Sequence, residues 1–359
     1  VYQVLTDIIE KEVIMTHTDA VIILGDYFDK VFKANEENVS LAINVMSFLI
    51  RACSREKTKI RIVYGTESHE MSQYRLFNYH MTSKRVDMKL FTTATEEELF
   101  PNVHVLYVPE EYIGDKQTHY KDTLYAKHYD YIFGHGVIAE GMPGIIATSE
   151  RKSKEKQVPH FKSKELEEAA DLTVFGHYHI ATDIDEKVHY VGSLFRWKFG
   201  EETPKGYAII QDGQYQFVEN PRAWTFTTYD YSQDSDIYKS EEAMSKEIDR
   251  IKHDHPDVFG EEYAGKIRMR FTVPKDLDPS FRDKLSSMLS NDNRIIPMFM
   301  NLNDVLMDEV KEEIGEEYDY IIDPSMPIYD KIHKYISMTT EDPISLATIT
   351  KHVKAILGQ

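Results

Sequence analysis

Four times along this chain a short apolar run stops at a glycine followed by a polar residue. Ala20–Leu24 runs into Gly25-Asp26, residues 59–64 into Gly65-Thr66, residues 130–133 into Gly134-His135, and residues 172–175 into Gly176-His177. Short, nearly continuous apolar runs are the mark of strands buried on both faces, and parallel strands of that kind need helical crossovers. Helical spacing of apolar residues fills residues 1–14 and 38–53, which supplies helices around the first runs. The pattern predicts an α/β fold. In open sheets of this class ligands bind at the carboxyl ends of the strands, so the acid and the histidines are predicted to share one rim.

Val103–Val108 is a further candidate strand. From Val188 the pattern reads as antiparallel β, with Asp212-Gly213 between two alternating runs as a hairpin signal. Residues 223–229 make another strand, and the polar stretch 232–236 marks a domain boundary. Beyond it, a helix starting at Ser240, a half-exposed strand over 266–273, a helix over 279–289 and a strand over 294–300 form a small α+β unit. Apolar stripes after residue 324 predict a helical tail. The expected organisation is residues 1–232, 233–323 and 324–359.

A length of 359 residues fits two to three domains, and 42% hydrophobic residues exclude a disordered chain. No apolar run approaches the ~20 residues of a membrane helix, and no signal peptide is visible, so a cytoplasmic protein is expected. The single cysteine, Cys53, excludes an intramolecular disulfide and argues against a cysteine zinc site; on its helical stretch it reads as a small buried hydrophobe. The net charge of −19 opposes general binding to nucleic acid unless positive charge is gathered locally.

The blocks Gly25-Asp26-Tyr27-Phe28-Asp29, Gly65-Thr66-Glu67-Ser68-His69-Glu70, Gly134-His135-Gly136 and Gly176-His177-Tyr178-His179 carry the chemistry. Alone, each has an ordinary explanation: a Gly-Asp is usually a turn, and a His-x-His is more often structural than a ligand. In this order, each at a strand end, they are hard to explain as turns. Carboxylate and imidazole on rigid strand ends suit manganese, iron or zinc. Two such ions ~3.5–4 Å apart can clamp a phosphate.

The order of these blocks resembles the calcineurin-like metallophosphoesterases, whose pattern is Asp-x-His, Gly-Asp-x-x-Asp, Gly-Asn-His-Asp/Glu, His and Gly-His-x-His. Residues 190–193 (Tyr-Val-Gly-Ser), 199–201 (Phe-Gly-Glu) and 205–207 (Lys-Gly-Tyr) are similar to the SbcD-type DNA nucleases within that superfamily. The resemblance implies a metallophosphoesterase β-sandwich core flanked by helices, with an α+β cap and a helical tail. It implies two divalent ions, manganese by expectation. Asp26, His135 and His177 would hold one ion, and Asp26 and His179 the other. His69 would be the catalytic histidine, and Asp29 would support the site.

Two departures stand out. No Asp-x-His strand precedes Gly25-Asp26, which leads to the expectation that N-terminal sequence is missing; His17-Thr-Asp19 is no substitute, lying some ~20 Å from the rim at ~3.3 Å per residue. Aligning His69 puts Ser68, a poorer ligand, where the family has Asn, with Glu67 and Glu70 as the alternatives for that role.

The basic stretch Arg151, Lys152, Lys154 and Lys156 reads equally as a DNA-holding loop or a solvated one, and Arg196 is a further DNA candidate. By contrast, Arg55, Lys57, Lys59 and Arg61 read as a helix-to-strand connection. The resemblance also implies DNA as substrate, an SbcC-type ATPase partner bound through the helical tail, and a homodimer. The expected activity is metal-dependent exonuclease or endonuclease cleavage at DNA ends. The alternatives are a phosphoesterase acting on a small nucleotide or phosphoprotein, and a non-catalytic DNA-end or partner-binding subunit.

Overall fold

The computed structural model describes residues 1–33, 36–141, 158–260, 265–274, 277, 280–289 and 292–300. The basic candidates Arg151, Lys152, Lys154 and Lys156, and the tail after residue 324, lie outside these. The chain divides into two compact units. The first draws on Val1–Met142, Arg151–Thr228 and Asp254–Ile267; the second includes Tyr229–His253 and, from Arg268, the described residues as far as Met300.

The first unit holds two main sheets. In one, β1 (Ala20–Leu24), β2 (Lys59–Val63) and β3 (Met88–Phe91) pair in parallel. In the other, β4 (Thr95–Phe100), β5 (Val103–Val108), β6 (Tyr129–His135), β9 (Ala170–Gly176), β10 (Thr182–Asp183) and β11 (Val188–Tyr190) run in the order β10-β11-β9-β6-β5-β4. Between β6 and β9 in sequence, β7 (Val137–Ile138) and β8 (His160–Phe161) pair with each other. The expected change to antiparallel pairing at Val188 is only partial: β11 is parallel to β9 and antiparallel to β10.

Period-two alternation explains how the strands pack. Val21 and Ile23 of β1 join Met46, Leu49, Ile60 and Ile62 in a cluster that includes helices α1 (Tyr2–Ile9) and α2 (Glu37–Glu56). Ala20, Ile22 and Leu24 instead meet Val105, Tyr107, Phe133 and Val174 of the larger sheet. The larger sheet repeats the alternation: Leu106, Val108 and Ile132 turn to a third cluster with Leu166 and Ala169 of the helix Ser163–Ala169. Each sheet thus shares one apolar layer with the other sheet and meets helices in another. Full burial of a side chain such as Ile60 or Ile62 stabilises by ~1.5–3 kcal/mol.

A charged bridge also crosses the shared layer. Arg61 of β2, fully buried, donates to both carboxylate oxygens of Glu97 on β4 at 2.7 and 2.8 Å. It also reaches Asp87 at 3.0 and 3.1 Å, while Tyr107 donates to Glu97 at 3.1 Å. Arg61 therefore belongs to the structure of the fold, and it lies within β2 and not in the helix-to-strand connection expected of residues 55–61.

The Asp212-Gly213 signal is realised as a hairpin between β12 (Gly206–Gln211) and β13 (Gln214–Glu219), with both turn residues at positive φ (52° and 78°). The second unit holds residues 229–231 of β14 (Thr225–Tyr231), residues 268–272 of β15 (Gly265–Thr272) and β16 (Ile295–Met300). It also carries the helices Glu241–Asp254 and Phe281–Leu289. Burial along β15 alternates residue by residue, and Phe271 stacks on both Tyr231 and Phe299.

Candidate metal centre

Asp26, His135 and His177 follow or end β1, β6 and β9, and their ligand atoms all lie within 4.8 Å of one another. Glycines make this convergence possible. A Cβ on Gly25 would stand 2.3 Å from Nδ1 of His135, and one on Gly176 would stand 2.1 Å from the Leu24 carbonyl oxygen. Neither contact is tolerable for a side chain, so the repeated strand–glycine pattern reflects backbones pressed together at the rim.

Asp26 and His177 both adopt positive φ, 48° and 103°. For non-glycine residues such conformations cost about 1–3 kcal/mol each and persist only where the surroundings enforce them. Here the backbone gives up stability to aim two polar side chains at one point.

The orientation of His135 follows from one bond. Its Nδ1 lies 2.7 Å from the Leu24 carbonyl, which only accepts, so Nδ1 carries the proton. Nε2 then faces Asp26 Oδ2 at 3.3 Å. Burial disfavours the charge on His135, but the bond to Asp26 and its negative charge prevail and push the imidazole up to about 9. Burial likewise acts to raise the Asp26 carboxyl, and is outweighed by the bond and charge of His135, the Thr66 amide and His69. Asp26 is held well below the usual carboxylate range. With Nδ1 held by the Leu24 carbonyl, Nε2 is the nitrogen from which a divalent cation would displace the proton, and beside the ionised Asp26 it makes a donor set that fits such a cation.

His69, on the short helix α3 (Glu67–Glu70), places Nδ1 3.4 Å from Asp26 Oδ2 and is 38% exposed, so it is accessible to a ligand over the cluster. Ser68 is exposed on the same turn, and Asp29 is also exposed. The hydrogen bonds around Asp26 come from Thr66 and Glu70. The Thr66 amide donates to Asp26 Oδ1 at 2.8 Å, and its hydroxyl lies 3.4 Å from His135 Nε2. Glu70, fully buried, accepts from the Tyr27 amide at 2.9 Å, the Gly65 amide at 2.6 Å and the Tyr74 hydroxyl at 2.6 Å. It clips the loop carrying Asp26 to the loop carrying Thr66. Burial raises its carboxyl even against those donors.

Glu110, just beyond β5, was also missed. Its buried carboxylate lies 3.3 Å from the Thr66 hydroxyl and 3.7 Å from His177 Nδ1. The signal for Thr66 was present, directly after the glycine of a strand–glycine block. For Glu110 only its place after an apolar strand was available.

His179 is not among the three clustered ligands, and its Nδ1 donates to Glu201 at 2.5 Å. Burial opposes the charge on Glu201, and the bonds from His179 and the Trp197 amide hold its carboxyl low. Arg196, a candidate for DNA, has its guanidinium on the carbonyls of Trp224, Glu202 and Thr203. His17 pairs with Glu56 at 3.0 Å, as expected of a residue away from the rim.

No family model matches the chain, and the comparison with curated proteins gives no match. Among the described residues, no helix is long and apolar enough to cross a membrane.

Proposed function

We propose that the chain is a metal-dependent phosphoesterase built on a metallophosphoesterase β-sandwich, and that it cleaves phosphodiesters at DNA ends as the nuclease subunit of an SbcCD-type complex. The observation that carries this reading is the meeting of Asp26, His135 and His177 at three strand ends, with His69 against Asp26. The sharing of one apolar layer by two sheets supports the sandwich. Residues 199–201 and 205–207 support the nuclease branch, with an SbcC-type ATPase and a second copy of the chain as partners.

Asp26, His135 and His177 would hold one divalent ion, and His179 with Asp26 a second; manganese is the expected metal. Bound ions would supply a hydroxide near neutral pH and neutralise phosphoryl oxygens. The protein's own groups do the rest. The Leu24 carbonyl keeps the His135 proton on Nδ1, and the Thr66 amide fixes the Asp26 carboxylate. His69, half open to solvent, is placed to hand a proton to the leaving oxygen.

The test is nucleotide release from linear duplex DNA with Mn²⁺, comparing the chain with His177→Ala. Release that depends on His177 supports the nuclease. Silence on DNA with His177-dependent hydrolysis of a small phosphodiester moves the reading to another substrate of the same chemistry. The clustering of only three ligands favours one second reading, a non-catalytic DNA-end or partner-binding subunit. DNA binding without any hydrolysis selects it.

A further inference from the structure

His179 is 43% exposed at its side chain, a degree of freedom at which an imidazole ordinarily keeps many rotamers. Here it is restrained from three sides. Its Nδ1 donates to Glu201 Oε1 at 2.5 Å. Its carbonyl oxygen accepts from Lys205 Nζ at 2.6 Å and from the Ser193 amide at 3.2 Å. Glu201 is buried, and its other oxygen accepts from the Trp197 amide at 3.0 Å. Lys205, also buried, lies 3.8 Å from that oxygen and balances its charge. Burying a carboxylate and an ammonium together costs several kcal/mol before their attraction repays it. Fixing one half-exposed ring is a small return on packing grounds. It is a large one where a ligand nitrogen must wait in place, because the carboxylate sets which nitrogen carries the proton.

We infer that Glu201, with Lys205 behind it, is a positioning pair that holds His179 with its Nδ1 protonated and its Nε2 presented as a ligand nitrogen for a divalent cation. This rests on the reading of His179 as a metal ligand, and it gives a role to residues 199–201 and 205–207 that the three clustered ligands do not use.

The experiment compares Glu201→Gln with Glu201→Asp in the whole chain. Glutamine keeps an oxygen at the reach needed to accept from Nδ1 and loses the charge; aspartate keeps the charge beside Lys205 and withdraws the acceptor by one methylene. Two readouts apply: the ring ¹⁵N shifts of His179 in metal-free protein, assigned with His179→Ala, and Mn²⁺ affinity by equilibrium dialysis. The positioning role requires wild type and E201Q to keep a fixed Nδ1-protonated ring, and E201D to show a tautomer mixture. Mn²⁺ affinity falls about 10–100-fold in E201D and less in E201Q, the range typical of groups that orient a ligand. The opposite order, with E201D retaining tautomer and affinity and E201Q losing both, overturns it in favour of a charge role. If H179A lowers Mn²⁺ affinity while both Glu201 variants bind as wild type, the pair is not positioning and the metal reading stands. If H179A binds Mn²⁺ as wild type, His179 is no ligand and both fall.

Discussion

Two charge clusters, each centred on a buried side chain, lie in the same unit and are built on opposite principles. Around Arg61 the guanidinium faces Glu97 and Asp87 at 2.7 to 3.1 Å on regular strand backbone. Around Asp26 two of three clustered side chains sit on positive-φ backbone. The contacts among the side chains there, 3.3 to 3.4 Å, are looser than good charged hydrogen bonds. The first cluster is satisfied by its own chain. The second spends backbone strain to bring donors together without closing them on one another. Strain together with loose internal bonding separates a site from a structural ion pair better than burial or charge does.

The largest effect is expected at the rim. Asp26→Asn removes the one clustered carboxylate and is predicted to weaken Mn²⁺ binding by about 100-fold or more, with a smaller loss of thermal stability than at Arg61, since it also removes the charge that faces buried His135. A large fall in melting temperature with intact Mn²⁺ binding would reverse the assignment of the two clusters.

At Arg61 the expectation inverts. Arg61→Met leaves Glu97 buried without its main partner and should cost about 3–5 kcal/mol in urea unfolding, without changing Mn²⁺ affinity where the protein is folded. The double variant Arg61→Met with Glu97→Met should regain much of that loss, since removing both partners of a buried pair is often nearly neutral. A double variant as unstable as the sum of the singles would show that the two side chains act separately.

A smaller effect of the same cluster appears with pH. Burial tends to raise the carboxyls of Glu97 and Asp87, but their bonds to Arg61 and a neighbouring lysine hold both below their ordinary values of 4.5 and 3.8. Groups with depressed folded values contribute stability that is full above those ordinary values and lost as pH falls through the depressed ones. Urea midpoints from pH 6 to pH 3 should therefore fall more steeply for wild type than for Arg61→Met. Parallel curves would mean that the pair is no better formed in the fold than in the unfolded chain.

The same contrast explains what was legible in the sequence. Strand–glycine–polar blocks marked β1, β2, β6 and β9, because buried parallel strands and the close approaches at Gly25 and Gly176 both leave traces in residue type. Five described strands were not read, and three of them, β7, β8 and β10, are only two residues long. β3 is four residues long, and β4 (Thr-Glu-Glu-Glu-Leu-Phe) carries three successive glutamates that argue against a strand. Glu97 turns in to Arg61 while Glu96 and Glu98 are exposed at the sheet edge, so a tertiary partner overrode local preference. At the site, Asp26, His135, His177 and His69 were legible from spacing. Thr66 and Glu110 were not singled out, and Glu70 was named only as an alternative to Ser68, because their roles depend on loops brought together from distant parts of the chain.

Cys53 gives the smallest predicted effect and links the two regions. It is fully buried on α2, in the layer that also contains β1, and burial pushes its thiol up to about 12. The thiolate is the reactive form, so at pH 8 an aromatic disulfide reagent should leave the native chain unlabelled over minutes and label it fully in urea. Labelling reports opening of the layer that supports the strand end carrying Asp26. Asp26→Asn should speed the labelling less than Arg61→Met does, since the rim pairs are looser and partly offset by backbone strain. Labelling as fast in Asp26→Asn as in Arg61→Met would mean that the rim cluster holds the fold together as firmly as the Arg61 bridge, and the contrast between the two clusters would fail at its functional end.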